Sequence, residues 1–169
     1  MLFDQLPMIV SGGQTGVDRA TLDAALAHGL ECGGWCPKGR LAEDGQISSR
    51  YPLREASSAI YAQRTRLNVR DSSATLILTC GEPTGGTALT IRFAEQYKRP
   101  CLVIDLARNS GKSSLQQVVK WIKTESITTL NVAGPRESGS PGIYADSLAF
   151  LNEVFRQLVR RKAEAPVQR

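Results

Sequence analysis

Two segments of this sequence share one arrangement: a short apolar run, a glycine-rich turn, then a helical pattern. Met8-Ile9-Val10 runs into Ser11-Gly12-Gly13-Gln14-Thr15-Gly16, and Val17 to His28 follows as a helix rich in Ala and Leu, with Gly29 as its stop. Ala74 to Thr79 is an apolar, β-branched run that leads into Gly81-Glu82-Pro83-Thr84-Gly85-Gly86. Thr87 to Tyr97 follows it as a helix with Leu89, Phe93 and Tyr97 on one face. A strand feeding directly into a helix is the unit of a parallel sheet, because parallel neighbours need a long crossover between them.

The rest of the chain continues the alternation. Cys32 to Trp35 reads as a strand interrupted by glycine, and Pro37 to Leu53 as a long, irregular, polar loop. Ser58 to Val69 fits a helix, Cys101 to Leu106 a strand, and Ser110 to Ser114 a helix start. Leu115, Val118, Val119 and Ile122 then have the spacing of one helical face. Thr129 to Val132 is a strand, Gly134 to Gly142 a loop, and Tyr144 to Lys162 a closing helix with Leu148, Leu151, Phe155 and Leu158 inward. The expected fold is therefore α/β: a Rossmann-like three-layer sandwich with a mostly parallel sheet between helices. The 169 residues suit a single domain, with a core over about 8–162 and a loose tail at 163–169.

In open α/β sheets, ligands bind beyond the carboxyl ends of the strands. A helix N-terminus offers unpaired N–H groups and a positive dipole end, which suits phosphate. The candidate cradle is Gly12, Gly13, Gln14, Thr15 and Gly16 at the first turn, and Gly85, Gly86 and Thr87 at the second. If their strands are neighbours, both turns face one crevice. Glycines serving only the bend would give the same pattern, but two such turns with cations nearby favour an anion. The cations are Arg19, Lys38, Arg40 and Arg136. Arg19 lies in the first turn of a helix, where a cation is electrostatically disfavoured, so it answers either a bound anion or a carboxylate such as Asp18 or Glu43. Asn68, Asp71 and Ser138 are polar groups that could serve the rest of a ligand.

Several classes lose support. Neither turn is G-x-G-x-x-G, and the residue that would open a P-loop before Gly111-Lys112-Ser113 is Leu106. One histidine and no G-x-S-x-G leave no nucleophilic triad, so no catalytic residue is assigned. Cys32 and Cys36 have the wrong spacing for a zinc site, and no structural zinc or other metal ligand set is expected; Cys80 and Cys101 read as small core residues. The formal charge of +5 suits an anionic partner. The basic residues lack interleaved aromatics, which argues against nucleic acid. Met1 to Pro7 does not resemble a signal peptide and no apolar run is long enough for a membrane, so a cytoplasmic location is expected.

Three blocks then point to a family. Ser11-Gly-Gly-Gln-Thr-Gly-Val-Asp-Arg19, Gly33-Gly-Trp-Cys-Pro-Lys-Gly-Arg40 with Glu43-Asp44-Gly45, and Asn131-Val-Ala-Gly-Pro-Arg-Glu-Ser138 closely resemble the putative molybdenum carrier family. Thr65, Asn68-Val69-Arg70-Asp71 and Thr84-Gly-Gly-Thr87 also look like its pattern, over residues 8 to 160 or so. The resemblance implies a fold related to the lysine-decarboxylase-like, LOG-type Rossmann proteins. It implies a homo-oligomer, a tetramer or a dimer. It also implies binding of molybdenum cofactor, a molybdopterin with a terminal phosphate, for storage or delivery to molybdoenzymes or cofactor-biosynthesis proteins. A nucleotide-processing enzyme or a nucleotide sensor on the same scaffold is the alternative. LOG-type phosphoribohydrolases carry a glutamate just after the glycine turn, whereas Ala88, Leu89 and Thr90 stand there in this chain. That departure argues for binding over turnover.

Overall fold

The computed structural model describes residues 5–108 and 111–163. Ser110, in the expected helix start, and 164–169, most of the expected tail, lie outside the described residues. Ala163 is the last residue of a helix.

The first apolar run forms β1 (Met8–Val10), followed by α1 (Val17–Ala27) and β2 (Cys32–Gly33). The expected strand Cys32 to Trp35 is broken in two. Gly34 takes φ 130°, and a Cβ there would overlap the Ser11 backbone. The chain therefore leaves the sheet and resumes as β3 (Trp35–Cys36). The segment read as an irregular loop holds a small antiparallel hairpin, β4 (Leu41–Ala42) and β5 (Gly45–Gln46). It ends in β6 (Arg54–Glu55), which pairs in parallel with β3. Nor is the segment simply polar surface: Ile47, Tyr51 and Leu53 are buried in the main core.

The second half is more regular. It runs α2 (Tyr61–Arg70), β7 (Ala74–Thr79), α3 (Gly85–Gln96), β8 (Cys101–Asp105), α4 (Lys112–Thr124) and β9 (Thr129–Ala133). A short 3-10 turn (Glu137–Gly139) then precedes α5 (Ile143–Ala163).

β1, β2, β7, β8 and β9 form one parallel sheet in the order β2-β1-β9-β7-β8. β1 steps outward to β2 through α1, and β7 steps outward the other way to β8 through α3. Right-handed crossovers running in opposite directions put their helices on opposite faces. The last strand, β9, fills the centre. This is the doubly wound order 3-2-1-4-5 with its first strand moved to the end of the chain. β1 and β7 are thus not neighbours, as one reading of the sequence required; β9 separates them.

The two faces differ in kind. Ala74, Leu76 and Leu78 of β7 join Leu130 and Val132 of β9 and the buried sides of α1, α4 and α5 in one core. Within α5, Leu151, Phe155 and Leu158 are fully buried, each contributing about 1.5–3 kcal/mol of burial, whereas Leu148 is only partly buried. The other face is covered by α2 and α3, which pack on each other. On α3 the buried face is Thr87, Thr90 and Ala94, whereas Leu89, Phe93 and Tyr97, the apolar set read on one face, are half-buried. Small and polar residues at the inward positions leave this layer incompletely filled, and a cavity opens there.

Candidate functional site

The cavity has a volume of about 490 Å³, within the range of small-molecule sites. It lies at the carboxyl edge of the sheet, where the strand order reverses. Thr79 of β7 and Asn131 and Ala133 of β9 border it from the sheet, α2 and the start of α3 from the sides, and Gly134, Pro135 and Arg136 along the rim.

All five helices begin at this edge; α4 starts away from the cavity, and the chain fills two of the other four itself. At α1, the Gln14 N–H donates to Asp18 Oδ2 at 3.2 Å and the Val17 N–H to the Pro135 carbonyl at 3.2 Å. At α5, the Glu137 carboxylate accepts from the N–H groups of Gly142 at 2.6 Å and Tyr144 at 3.0 Å. α2 and α3 have neither an acidic residue in the first turn nor a side-chain cap, and both begin on the cavity. A Cβ added to Gly85 or Gly86 would meet nothing within 4 Å, so the space over the α3 N-terminus is open. Unpaired N–H groups and the dipole make that end a seat for an anion.

Between these termini stands Arg64 of α2. It is 9% exposed, lines the cavity, and donates from Nη1 to Asp18 Oδ2 at 2.7 Å. Its Nε is buried with no hydrogen-bond partner among the described residues. Arg64 borders the cavity, so an anionic ligand there would be drawn to a positive charge already fixed in place. Gly12 makes room for it: a Cβ at that position would overlap the Arg64 guanidinium. Sequence reading missed Arg64 because an arginine on a helix is ordinarily a solvated residue. The available signal was its helical register with Asn68, four residues on, which placed two polar residues where an amphipathic helix buries apolar ones.

The structure brings some of the candidate residues together and not others. Gly12, Gln14, Asn68, Gly85, Gly86, Thr87 and Arg136 border the cavity. Gln14 and Asn68 are partly committed, however. The Gln14 side-chain carbonyl accepts from the N–H groups of Thr15 and Glu43, and the Asn68 amide bridges the backbone N–H and carbonyl of Trp35 at 2.7 and 2.9 Å. Gly13 packs toward Leu53 and Ile47, and Gly16 against the Pro135 carbonyl, each at positive φ. Both serve the bend. Thr15 and Ser138 lie beside the cavity and bond Glu43.

Two of the remaining cations are internal braces. Arg19 donates to the Gly13 carbonyl and, bidentate at 3.2 Å, to Asp44. It thus answers a carboxylate of its own chain, though neither Asp18 nor Glu43. Arg40 donates to the carbonyls of Ile47, Ser48, Tyr51 and Leu53, tying the long segment into a knot. Lys38 is exposed and away from the cavity. Asp71 is paired with Arg70 at 2.6 Å and accepts from Trp35 Nε1 at 2.9 Å. The Arg70 hydrogen bond, with help from Trp35, holds its carboxyl below the usual range.

All four cysteines are free thiols. Cys80 was expected in the core but is exposed at the end of β7, on the cavity. Burial pushes the half-buried Cys101 thiol up to about 11. Among the described residues no group of three or more His, Cys, Asp or Glu is placed to hold a metal ion.

The strand order, with its first strand last, agrees with comparisons to known proteins. Residues 9–155 match the model of the circularly permutated YpsA SLOG family. The chain belongs to that family. It is also similar to a crystal structure from Syntrophus aciditrophicus SB described as a putative molybdenum carrier protein. The identity is 49%, the TM-score 0.85, and the match covers 89% of this chain and 94% of that one. No curated protein matches the chain. The circular permutation of the family explains why β9, last in sequence, stands at the centre of the sheet. Among the described residues, no helix of this family member is long and apolar enough to cross a membrane.

Proposed function

We propose that this protein binds molybdenum cofactor as a carrier or store, with the terminal phosphate of molybdopterin at the N-terminus of α3. The observation that carries the reading is the pairing, across one cavity, of an open glycine-rich helix terminus with the cationic side chain of Arg64. A phosphate monoester supplies acceptors for both, and Arg136 stands at the rim as a second cation. The polar surface offered by Thr79, Thr90 and Asn131 suits the edge of a pterin. With no side-chain metal cluster among the described residues, the molybdenum would enter on the pterin and be held through it. The neighbour's description as a molybdenum carrier supports the same reading.

A carrier needs binding groups more than reactive ones, and the cavity fits that need. Asp18 is engaged by Arg64, and no carboxylate follows Gly86-Thr87. The proposal includes a homo-oligomer in the cytoplasm that exchanges cofactor with molybdoenzymes or cofactor-biosynthesis proteins. The nucleotide reading draws on one observation: Glu82, an exposed carboxylate, borders the cavity and could serve turnover of a nucleoside phosphate.

One experiment separates the two. The protein is purified without added ligand and denatured, and the released small molecules are identified by mass spectrometry beside a molybdenum assay. Molybdopterin with near-stoichiometric molybdenum is the expected result. A nucleotide without molybdenum overturns the carrier reading. If nothing is released, molybdenum cofactor and nucleoside monophosphates are titrated directly, and tighter binding of the nucleotide overturns it equally.

A further inference from the structure

The Glu43 carboxylate occupies a position built for an anion. The β4–β5 hairpin carries it to the rim between the β1–α1 turn and the β9–α5 loop. Its Oε1 accepts from the Thr15 hydroxyl, and from the Ser138 N–H at 3.1 Å. Its Oε2 accepts from the Ser138 hydroxyl and faces Arg136 Nε at 3.6 Å. The Thr15 hydroxyl itself accepts from the Glu137 N–H at 3.2 Å, which aims its own proton at Glu43.

Two hydroxyls, a backbone N–H and a guanidinium from two loops thus converge on one pair of oxygens. Such a set of donors recognises phosphate and other small oxyanions as readily as it recognises a carboxylate. The Ser138 and Thr15 hydrogen bonds hold the Glu43 carboxyl below the usual glutamate range, as donors arranged for a charged oxygen would. Arg136 is the loosest member. At 3.6 Å it is held by charge and not by a hydrogen bond, its side chain is 55% exposed, and it also borders the main cavity.

We propose that Thr15, Arg136 and Ser138 form a second oxyanion site that Glu43 occupies from within the chain, and that a phosphate-type group reaching Arg136 exchanges with it. Glu43 is then a displaceable internal counter-ion. The site stands beside the main cavity and shares Arg136 with it, so a ligand with two anionic ends could engage both. The inference rests on the donor geometry at the rim and does not depend on which molecule fills the main cavity.

The test is calorimetric titration of inorganic phosphate into the full chain, as wild type, Glu43→Ala and Glu43→Ala/Arg136→Ala. Glu43→Ala should bind phosphate at this site about tenfold or more tightly than wild type, in which the carboxylate competes for it, and loss of Arg136 should weaken that site about tenfold or more. A folded Glu43→Ala protein that binds phosphate no more tightly than wild type overturns the proposal. So does a site in Glu43→Ala that is indifferent to Arg136. If Glu43→Ala does not fold, Glu43→Gln keeps the volume and removes the charge. Phosphate should then raise its melting temperature more than it raises that of wild type, and an equal rise overturns the proposal.

Discussion

Replacing Arg64 with methionine isolates the ion pair at the heart of the cavity. The side chains of Arg64 and Asp18 are only 11% and 8% exposed, and they meet at 2.7 Å. Methionine preserves much of the arginine stem, so little packing is lost. What remains is the Asp18 carboxylate with a single N–H donor, from Gln14 at 3.2 Å. Removing one member of a buried pair costs about 3–5 kcal/mol. The cavity lets water approach, which favours the lower end, near 3 kcal/mol. With a urea slope of about 2 kcal/mol per molar, the unfolding midpoint should fall by about 1.5 M. Asp18→Asn should cost less, about 1–2 kcal/mol, because the guanidinium it leaves behind borders an open cavity that water can enter. The double variant should be more stable than the summed single losses imply, with a coupling of about 2 kcal/mol. An Arg64→Met midpoint within about 0.5 M of wild type, or a double variant that is merely additive, would refute the reasoning.

Three further outcomes follow from other parts of the structure. Gly16→Ala should lose about 2 kcal/mol or more in chemical unfolding, because Gly16 has φ 75° and an added Cβ would overlap the Pro135 carbonyl. A loss under about 0.5 kcal/mol would show that the β9–α5 loop yields there. Arg40→Ala strips charged donors from four carbonyls and should leave the 41–53 segment open to limited proteolysis, with a loss of about 2 kcal/mol or more; unchanged protease resistance would contradict its role as a brace. Burial, with the Asp23 carboxylate as acceptor, pushes the Tyr144 phenol from 10.0 up to about 12. The folded state holds this proton more tightly than the unfolded one. The stabilisation is therefore complete below pH 10 and disappears as pH rises toward about 12. The stability difference between wild type and Tyr144→Phe should shrink across that window, and a difference that grows there would reverse the assignment.

Sequence alone determined the alternation of strands and helices, the parallel character of the sheet and the two glycine-rich turns. Each of these is written in local chemistry: β-branched runs, helical spacing and glycine where φ is positive. Seven of its fifteen candidate residues border the cavity at the carboxyl edge of the sheet. It could not assign partners. Arg19, Arg40 and Arg136 look alike in sequence, yet one braces a hairpin, one gathers four carbonyls and one faces the cavity. Those roles depend on contacts between residues 7 to 93 positions apart. The same holds for Arg64, whose burial follows from α1 supplying Asp18 from 46 positions away and from Gly12 having no side chain. The helix termini left for a ligand were likewise a tertiary matter, because Asp18 and Glu137 had first to serve α1 and α5. A glycine-rich turn makes an anion site possible. Whether the chain's own carboxylates already fill it is decided only when distant loops come together.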